Sequence, residues 1–545
     1  MKKLVNIILA GAVAVLIFPV SSCTKKIDEA FANPNALTKQ PIDQILPGVE
    51  AGMATFYSAN GTGYGVQNDL QFIGRFVQYW ATNSTGSQYD QMGDNFINKS
   101  DNLGSIWAML YYGMGQNVAS IIKWGSEENK WDYVGVAQAI RAWGFLTATD
   151  IHDDIIMKEA FRPDLLVFKY DPQPDVYAEV LSLCDQALEN FNKATAPSAG
   201  FAQADFYLNG GDLNKWRKFC YAVKAKVFNR YTNKSSLYQP DSVVKYCDLA
   251  QQTNADNSSL RWSNAGSTGT YSYWSPFRGN VGTLRQTKFI ADLMQGVNTQ
   301  FPTGEIDPRA YYIIRENNNG TFKGTRPNKG TDGLATNDQP LSFWGLSFGT
   351  TTSPSSDNGC RYLFRNAPVF PFITASEIQF LKAEALYRKG DKAGARAAYL
   401  KGIQLNFEQL RSDYETNVPV ANKITDSRRD SYLANPIVVP AAANLTLSHI
   451  MMQKYIAMYG WGGVETWVDI RRFHYTDLDP ATGQQVYREF APPTGIDLYP
   501  NNFGKWIYRH RPRYNSEYLY NIDELNRVGA FAPDYITKEC WFSKP

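Results

Sequence analysis

Histidine and cysteine are scarce in this sequence. Its 545 residues include only four histidines and six cysteines. No two cysteines have CxxC spacing, and no HExxH motif occurs. After the first cysteine, the other five are widely spaced, and an odd number with such spacing does not form a disulfide framework. The sequence therefore gives no sign of a zinc site or a disulfide-stabilised fold, although it leaves room for one disulfide.

The chain also has little excess of positive or negative charge. The chain has 54 basic and 52 acidic residues, and removal of an N-terminal leader that contains Lys2 and Lys3 would leave 52 of each. Nucleic-acid-binding proteins carry concentrated positive charge, so this class is excluded. Beyond the N-terminus, no segment is apolar enough to cross a membrane. The glycine-rich segment 61–65 lacks the Lys and Ser/Thr of a phosphate-binding loop.

The N-terminus has the layout of a secretory signal peptide. Two lysines precede an apolar run that reaches Val20, and Ser21-Ser22-Cys23 follow. Val20 to Cys23 resembles a bacterial lipobox, in which the cysteine becomes the acylated first residue. We therefore predict a leader over residues 1–22 and lipidation of Cys23, where buried acyl methylenes such as those of palmitate contribute ~0.8 kcal/mol each to anchoring. A retained transmembrane anchor and an ordinary secreted protein are the alternatives.

The clearest helical pattern lies between residues 376 and 403. A capping box of Ser376 and Gln379 predicts the start of a helix that ends at Gly390. Asp391 then caps a second helix that runs through Ile403. The two helices can approach closely at three small residues, Ala383, Ala395 and Gly402. This is the layout of a tetratricopeptide hairpin, which cannot bury its apolar face without further repeats.

Further helical hairpins are predicted along the chain, separated by long irregular segments. Helical periodicity marks the following ranges: 133–149, 172–192, 215–231, 241–251 and 446–459. Three inserts rich in Gly, Asn, Ser, Thr or Pro cover about 57–105, 253–370 and 476–515. Because loops this long are uncommon unless functional or disordered, their aromatic content favours ordered binding loops. The fold class is therefore mainly α, with residues 23–545 as a single domain of helical hairpins and loop-rich inserts.

Several segments resemble the SusD/RagB family of outer-membrane lipoproteins. The similar segments are Ala139-Ile140-Arg141-Ala142-Trp143, residues 169–177, residues 216–225, residues 372–377, Lys454-Tyr455-Ile456-Ala457, residues 465–472 and residues 511–521. They span most of the mature chain in order. One departure is residues 151–156, where the family often has Tyr-Gly-Asp followed by an apolar residue and Pro.

The resemblance implies a function at the cell surface. Members of the family capture oligosaccharides, or in some cases peptides, and act beside a SusC-like TonB-dependent transporter. It implies an outer-membrane, lipid-anchored, non-catalytic protein without cofactor or metal. Two alternatives stay open: the same role with a peptide ligand, and a helical glycoside hydrolase that uses two carboxylates.

Candidate ligand-binding residues come from the aromatic clusters of the inserts. Sugar rings bind flat aromatic surfaces with amide and carboxylate groups around them, and Tyr and Trp supply such surfaces at low entropic cost. On this basis we predict ligand contacts at Trp80, Asn83, Tyr89, Trp262, Tyr271, Tyr273, Trp274 and Trp344. The cluster at residues 271–274 ranks first, because no periodic pattern near it requires a core face.

Other conspicuous residues are assigned to structure. The chain is 14% aromatic, so many rings must fill the core. Trp143, Trp216 and Trp467 lie in helical patterns, and we assign them to packing. His152-Asp153-Asp154 is interpreted as a solvated turn after a helix, since no partner for a metal or catalytic site is identifiable. Arg471-Arg472 is predicted to pair with helix ends and acidic residues in the core.

Overall fold

The computed structural model describes residues 39–57, 63–87, 90–93, 103–263, 272–274, 282–345 and 357–545. Residues Ile42–Pro545 form one compact unit. The predicted leader and Cys23 lie outside the described residues. The boundary between leader and mature chain therefore stays a prediction.

Helices dominate the described residues, as the sequence predicts. The longer α-helices are α1 (Ile42–Ala54), α2 (Val66–Phe76), α4 (Gly115–Glu127), α5 (Trp131–His152), α6 (Gln173–Lys193), α8 (Leu213–Arg230), α9 (Pro240–Leu249), α10 (Lys288–Gln295), α12 (Ala375–Lys389), α13 (Lys392–Asp413), α14 (Asp426–Ala434), α15 (Leu447–Ala457) and α16 (Gly463–Arg472). The short ones are α3 (Ser105–Ala108), α7 (Phe201–Ala204), α11 (Ala310–Ile313), α17 (Tyr514–Tyr520) and α18 (Ile522–Arg527). A π-helix, Met109–Met114, joins α3 to α4.

Strands are few and short. Three antiparallel pairs occur among the described residues: β1 (Phe56–Tyr57) with β2 (Gly63–Tyr64), β3 (Trp80–Thr82) with β5 (Leu284–Gln286), and β4 (Ser258–Arg261) with β6 (Val369–Ile373). The β3–β5 pair joins the first insert to the second. Cross-strand pairing across some 200 residues thus ties the loop-rich segments to each other.

The predicted hairpin of α12 and α13 is confirmed, with one correction. Gly390 ends α12 with φ +92°, a backbone conformation that glycine adopts without strain, and Asp391 caps α13. The N-cap of α12 is Thr374, whose side chain accepts the Glu377 N–H. The predicted cap, Ser376, instead donates to the Gly402 carbonyl at 2.8 Å, so it joins the two helices.

The five other predicted helices also form, within three residues of their predicted ends. Trp143 and Trp216 lie on their buried faces and Trp467 on that of α16; all three are at most 6% exposed, and this confirms the packing assignment. The inserts, however, contain α2 and α10, which the sequence analysis did not predict. Both are short and amphipathic, and neighbouring glycines and polar residues conceal their period.

The interpretation of residues 152–154 as a solvated turn is wrong. α5 continues through His152, which has no exposed surface, and Asp153 is 6% exposed. The Asp153 carboxylate forms an ion pair with Arg509 at 2.9 Å and accepts the Trp541 N–H at 2.7 Å. The C-terminal segment therefore packs on the end of α5 and excludes water from it.

A buried ion network lies where α5, α8, α12, α15 and α16 meet. Its basic members are Lys226, Arg230, Lys454 and Arg472, and its acidic members are Asp150, Glu377, Glu384, Glu465 and Asp469. Arg471 donates to the carbonyls of Asp150 and Tyr508, both at 2.7 Å. The predicted pairing of Arg471 and Arg472 with acids and backbone is confirmed.

Candidate functional site

The strand pair β3–β5 positions the first group of predicted ligand residues. Trp80 lies opposite Gln286, and Thr82 lies opposite Leu284. The segment after β3 is fixed by Asp90, whose carboxylate accepts the Thr82 N–H at 2.9 Å and the Thr82 hydroxyl at 2.5 Å. Burial raises the pKa of Asp90, although Arg75 opposes the shift. This segment is therefore a rigid support for the polar turn that follows.

Trp80 and Trp274 belong to one packed aromatic cluster. Their ring centroids are 5.5 Å apart in an edge-to-face arrangement, and both rings have no exposed surface. Each indole N–H donates to a carbonyl of α2: Trp274 to Gln67 at 3.0 Å and Trp80 to Gln71 at 2.9 Å. The structure thus joins residues that are almost 200 positions apart in the sequence.

Phe343 and Phe364 extend this cluster. Their rings are stacked with centroids 3.9 Å apart, and each also contacts Trp80 edge to face. Tyr273, only 4% exposed, accepts the Gln71 amide N–H at 3.2 Å through its hydroxyl. Aromatic contacts of this kind contribute ~0.5–1.5 kcal/mol beyond burial. The cluster therefore holds parts of both inserts against α2.

Asn83, Trp262 and Trp344 are the other predicted contact residues within the described ranges. Asn83 is 7% exposed, and its N–H donates to the Thr283 carbonyl at 2.9 Å. Trp344 is 3% exposed, whereas Trp262 is only half-buried. The indole nitrogens of Trp262 and Trp344 are both buried, and the described residues give neither a hydrogen-bond partner. A buried N–H without an acceptor is unusual and marks a place where a polar group can bind.

The eight predicted contact residues thus divide into three groups. Trp80, Tyr273 and Trp274 come together in the aromatic cluster, while Asn83, Trp262 and Trp344 do not join it. Tyr89 and Tyr271 lie outside the described residues. A fully buried ring meets a ligand only after its neighbours move, so half-buried Trp262 has the most direct access. Ligand contact at all eight stays a prediction.

None of the eight predicted contact residues lines a wide cleft elsewhere on the molecule. This cleft has a volume of about 420 Å³, and Trp107, Tyr111 and Tyr112 form part of its wall. The sequence signal for this cleft is the pair of adjacent tyrosines four and five positions after Trp107. In an amphipathic helix, however, such residues are most simply assigned to the core, and only the π-helix turns Tyr112 outward.

Three further properties concern the described residues alone. Among them no group of three or more His, Cys, Asp or Glu side chains is arranged to hold a metal ion. No helix within the described ranges is long and apolar enough to span a bilayer. The five described cysteines are all buried and unpaired.

Solved structures with similar folds cover nearly the whole chain. A SusD/RagB family protein from Bacteroides thetaiotaomicron has a TM-score of 0.67 at 18% identity, over 93% of this chain and 99% of its own. A SusD homolog from Parabacteroides distasonis has a TM-score of 0.66 at 20% identity, over 92% and 98%. A chitin-binding SusD homolog from Flavobacterium johnsoniae has a TM-score of 0.58 at 18% identity, over 91% and 98%. These likenesses establish the fold.

The sequence itself matches a family model. No curated protein matches the chain significantly. The family model SusD-like_2, described as starch-binding and associating with the outer membrane, matches residues 34–496. That range exceeds four fifths of the chain and includes the buried ion network and the aromatic cluster. The chain is therefore a member of the SusD-like family of starch-binding proteins that associate with the outer membrane.

Proposed function

We propose that this protein is a non-catalytic, lipid-anchored outer-membrane protein that binds oligosaccharides and delivers them to a SusC-like TonB-dependent transporter. The family match over residues 34–496 carries the proposal, because the family is described as starch-binding and associated with the outer membrane. One structural neighbour is described as a chitin-binding protein. Starch and chitin differ in linkage and substituents, but both are chains of pyranose rings. The proposed ligand is therefore a pyranose oligosaccharide.

The binding surface is proposed on the loop-rich inserts. The buried aromatic cluster around Trp80 and Trp274 supports these loops from beneath, and half-buried Trp262 lies nearest to solvent among the described candidates. The indole N–H groups of Trp262 and Trp344, which have no hydrogen-bond partner among the described residues, can donate to sugar oxygens. A support that is ordered before binding lowers the conformational entropy that is lost when a ligand binds.

A glycan panel tests the proposal. The mature chain is titrated by calorimetry with maltooligosaccharides, chito-oligosaccharides and other oligosaccharides, and the glycans are then analysed by chromatography. We expect binding of at least one glycan class with no chain shortening. Shortening that a single Asp or Glu substitution abolishes would identify a glycoside hydrolase instead. Binding of peptides but of no glycan would show that the ligand is a peptide and not an oligosaccharide.

Trp262→Ala is expected to weaken glycan binding about tenfold, equivalent to roughly 1.4 kcal/mol, because it removes a stacking surface and a hydrogen-bond donor. The matched control is Trp131→Ala, since Trp131 is also half-buried but begins α5, and Lys193 lies over its ring at 4.9 Å. Calorimetry with the best glycan measures both variants. Equal affinities for the two variants would show that Trp262 does not belong to the binding surface.

The lipid anchor gives a separate prediction. Because the charge of the mature chain is balanced, nothing in its composition attracts it to anionic lipid, and Cys23 would provide most of the attachment. Cys23→Ala is expected to move the protein from the membrane fraction to the soluble fraction while glycan binding is kept. The measurement is membrane fractionation followed by calorimetry. A Cys23→Ala protein that stays in the membrane fraction would disprove the assignment.

A protein partner is supported by an exposed apolar patch. Leu166 and Tyr520 are 90% and 70% exposed, and Val167 and Leu519 beside them are also largely exposed. The two segments are joined because Asn521 exchanges hydrogen bonds with the backbone of Phe168. Exposed apolar side chains that cluster in this way are typical of protein contact surfaces. We include the transporter as the proposed partner on this basis.

A further inference from the structure

The wide cleft beside the π-helix has the properties of a ligand pocket. Its volume of about 420 Å³ lies within the ~300–1,000 Å³ range of small-molecule sites. Aromatic and aliphatic side chains together form most of its lining, with a few polar groups between them. This combination fixes the orientation of a ligand while apolar surface supplies affinity.

The walls of this cleft are held in place before any ligand binds. Tyr111 donates its hydroxyl hydrogen to the Ile156 carbonyl at 2.6 Å, and its ring lies 4.9 Å from that of Trp107. Phe161 has φ +64°, a strained conformation for a bulky residue. Arg141 lies over the Phe161 ring at 5.2 Å, which fixes the ring against the cleft.

Gly115 shows how tightly this wall is packed. A Cβ atom on Gly115 would come within 2.1 Å of both the Phe161 ring and the Leu110 carbonyl oxygen. The glycine therefore lets the first turn of α4 contact Phe161 directly. The preceding six-residue π-helix, Met109–Met114, widens the backbone at the same place, and such segments occur frequently at functional sites.

Tyr112 is the exposed aromatic surface of this cleft. It is 74% exposed, although it is a large aromatic residue in a helix. Its ring contacts that of Tyr64 edge to face, with centroids 5.8 Å apart, so the ring is oriented while most of its surface stays exposed. An oriented, exposed tyrosine ring is the surface on which the CH face of a pyranose ring stacks.

Polar groups complete the cleft. Glu517 is only 6% exposed, and its Oε2 accepts hydrogen bonds from Tyr170 at 2.6 Å and Asn521 at 3.0 Å. No described residue forms a hydrogen bond with its Oε1. The Ser516 hydroxyl also lines the cleft and is buried without a partner among the described residues. Two oxygens that have no hydrogen-bond partner among the described residues, beside aromatic walls, suit a ligand that carries hydroxyl groups.

We propose that this cleft is a second carbohydrate subsite that binds a single pyranose unit. Tyr112 supplies the stacking face, Glu517 Oε1 and Ser516 Oγ bind sugar hydroxyls, and the exposed Gln116 side chain reaches the rim. A neutral ligand suits the cleft because its lining carries charges of both signs, on Glu517, Arg513 and Arg162, and Arg162 forms an ion pair with Asp164 at 2.5 Å. The proposal rests on the proposed function, since it assigns a further site for the same ligand class.

Stoichiometry tests this subsite. The full mature chain in detergent is titrated with maltotriose and with triacetylchitotriose, as wild type and as Tyr112→Ala. We expect two sites in the wild type and one in Tyr112→Ala, with affinity at the cleft lowered tenfold or more. Phe206→Ala is the matched control, because Phe206 is 69% exposed, its ring contacts that of Tyr207 edge to face, and it does not line the cleft. It should keep both sites.

The outcomes separate this inference from the proposed function. If wild type and Tyr112→Ala bind the glycan with the same stoichiometry and affinity, the subsite is wrong while the proposed function stands. If the wild type binds no glycan of the panel, the proposed function is wrong, and so is the subsite that rests on it. A crystal of the wild type with maltotriose or triacetylchitotriose should place a sugar ring on Tyr112, and an empty cleft at saturating glycan would overturn the subsite. Because Tyr112 is exposed, its removal leaves the fold intact.

Discussion

Replacing Arg472 by alanine is expected to lower the free energy of unfolding by about 3–5 kcal/mol. The Arg472 guanidinium has no exposed surface and forms two bonds of 2.9 Å with the Glu384 carboxylate and one of 2.7 Å with Asp469. Removing it leaves two buried carboxylates with fewer partners. The cost comes mostly from those uncompensated charges and less from the lost bonds themselves.

The charge on Arg472 also controls the protonation of its partner. Burial alone would raise the pKa of Glu384, but the guanidinium groups of Arg472 and Arg388 hold it well below its usual range. Glu465 has a pKa lowered to about 2, since Arg230 and Lys226 outweigh its burial. Both carboxylates are therefore ionised at neutral pH. The network joins five helices only while its positive members remain.

Urea unfolding followed by circular dichroism measures the effect of Arg472→Ala. Arg411→Ala is the matched control, because Arg411 pairs with Asp426 at 2.7 Å on the surface, with both side chains at least 36% exposed. A surface pair contributes ~0–1 kcal/mol. If the two variants lose similar stability, the buried network does not hold the helices together.

Stability is expected to fall by about 4–5 kcal/mol between pH 6.5 and pH 4.5 through two buried histidines. Burial lowers the pKa of His152 to about 3 and places that of His510 well below its usual range. The rings lie 6.1 Å apart, with Trp107 and Phe76 packed beside them. The charge of Arg471 lowers both pKa values further.

The loss of stability in acid follows from the protons that the unfolded chain binds and the native chain does not. Below about pH 6.5 the unfolded chain binds protons at these histidines, whereas the native chain does not until near pH 3 at His152. Acid therefore favours the unfolded state, by about 1.4 kcal/mol per pH unit for each histidine. His152→Gln should reduce the slope of stability against pH by that amount.

His474 provides a control of opposite sign. Its side chain is 31% exposed, and the hydrogen bond with Asp477 raises its pKa. It therefore contributes stability that is present below its unfolded pKa and is lost as the pH rises through its folded pKa. His474→Gln should leave the acid-side loss in place. A His152→Gln protein with an unchanged slope would contradict the buried-histidine account.

Local patterns predicted the helical scaffold well. The turn at Gly390 and Asp391 needs only neighbouring residues, since the αL glycine and the capping carboxylate act within one turn. The capping-box spacing of Ser376 and Gln379 predicts a start of α12 at Ser376, but Thr374 and Glu377 have the same spacing, and Thr374 is the cap. Only the contact with Gly402, across the hairpin, shows that the Ser376 hydroxyl is used elsewhere.

Long-range contacts explain what the sequence could not show. His152 is buried because the C-terminal segment covers the end of α5, through contacts such as that of Asp153 with Trp541, which is 388 residues away. The surroundings of Trp80 come from Trp274, Phe343 and Phe364. Aromatic richness marked these residues, but burial depends on partners that local sequence does not reveal. Tyr112 is the opposite case: its aromatic side chain in a helix would be assigned to the core, but the fold leaves it exposed.

The structure of the mature chain with its tightest-binding oligosaccharide tests the central claim most directly. The proposed function predicts an intact, uncleaved glycan on the loop-rich inserts, with Trp262 among its contacts. A glycan bound only on the helical scaffold, or a cleaved glycan beside two carboxylates, would contradict it.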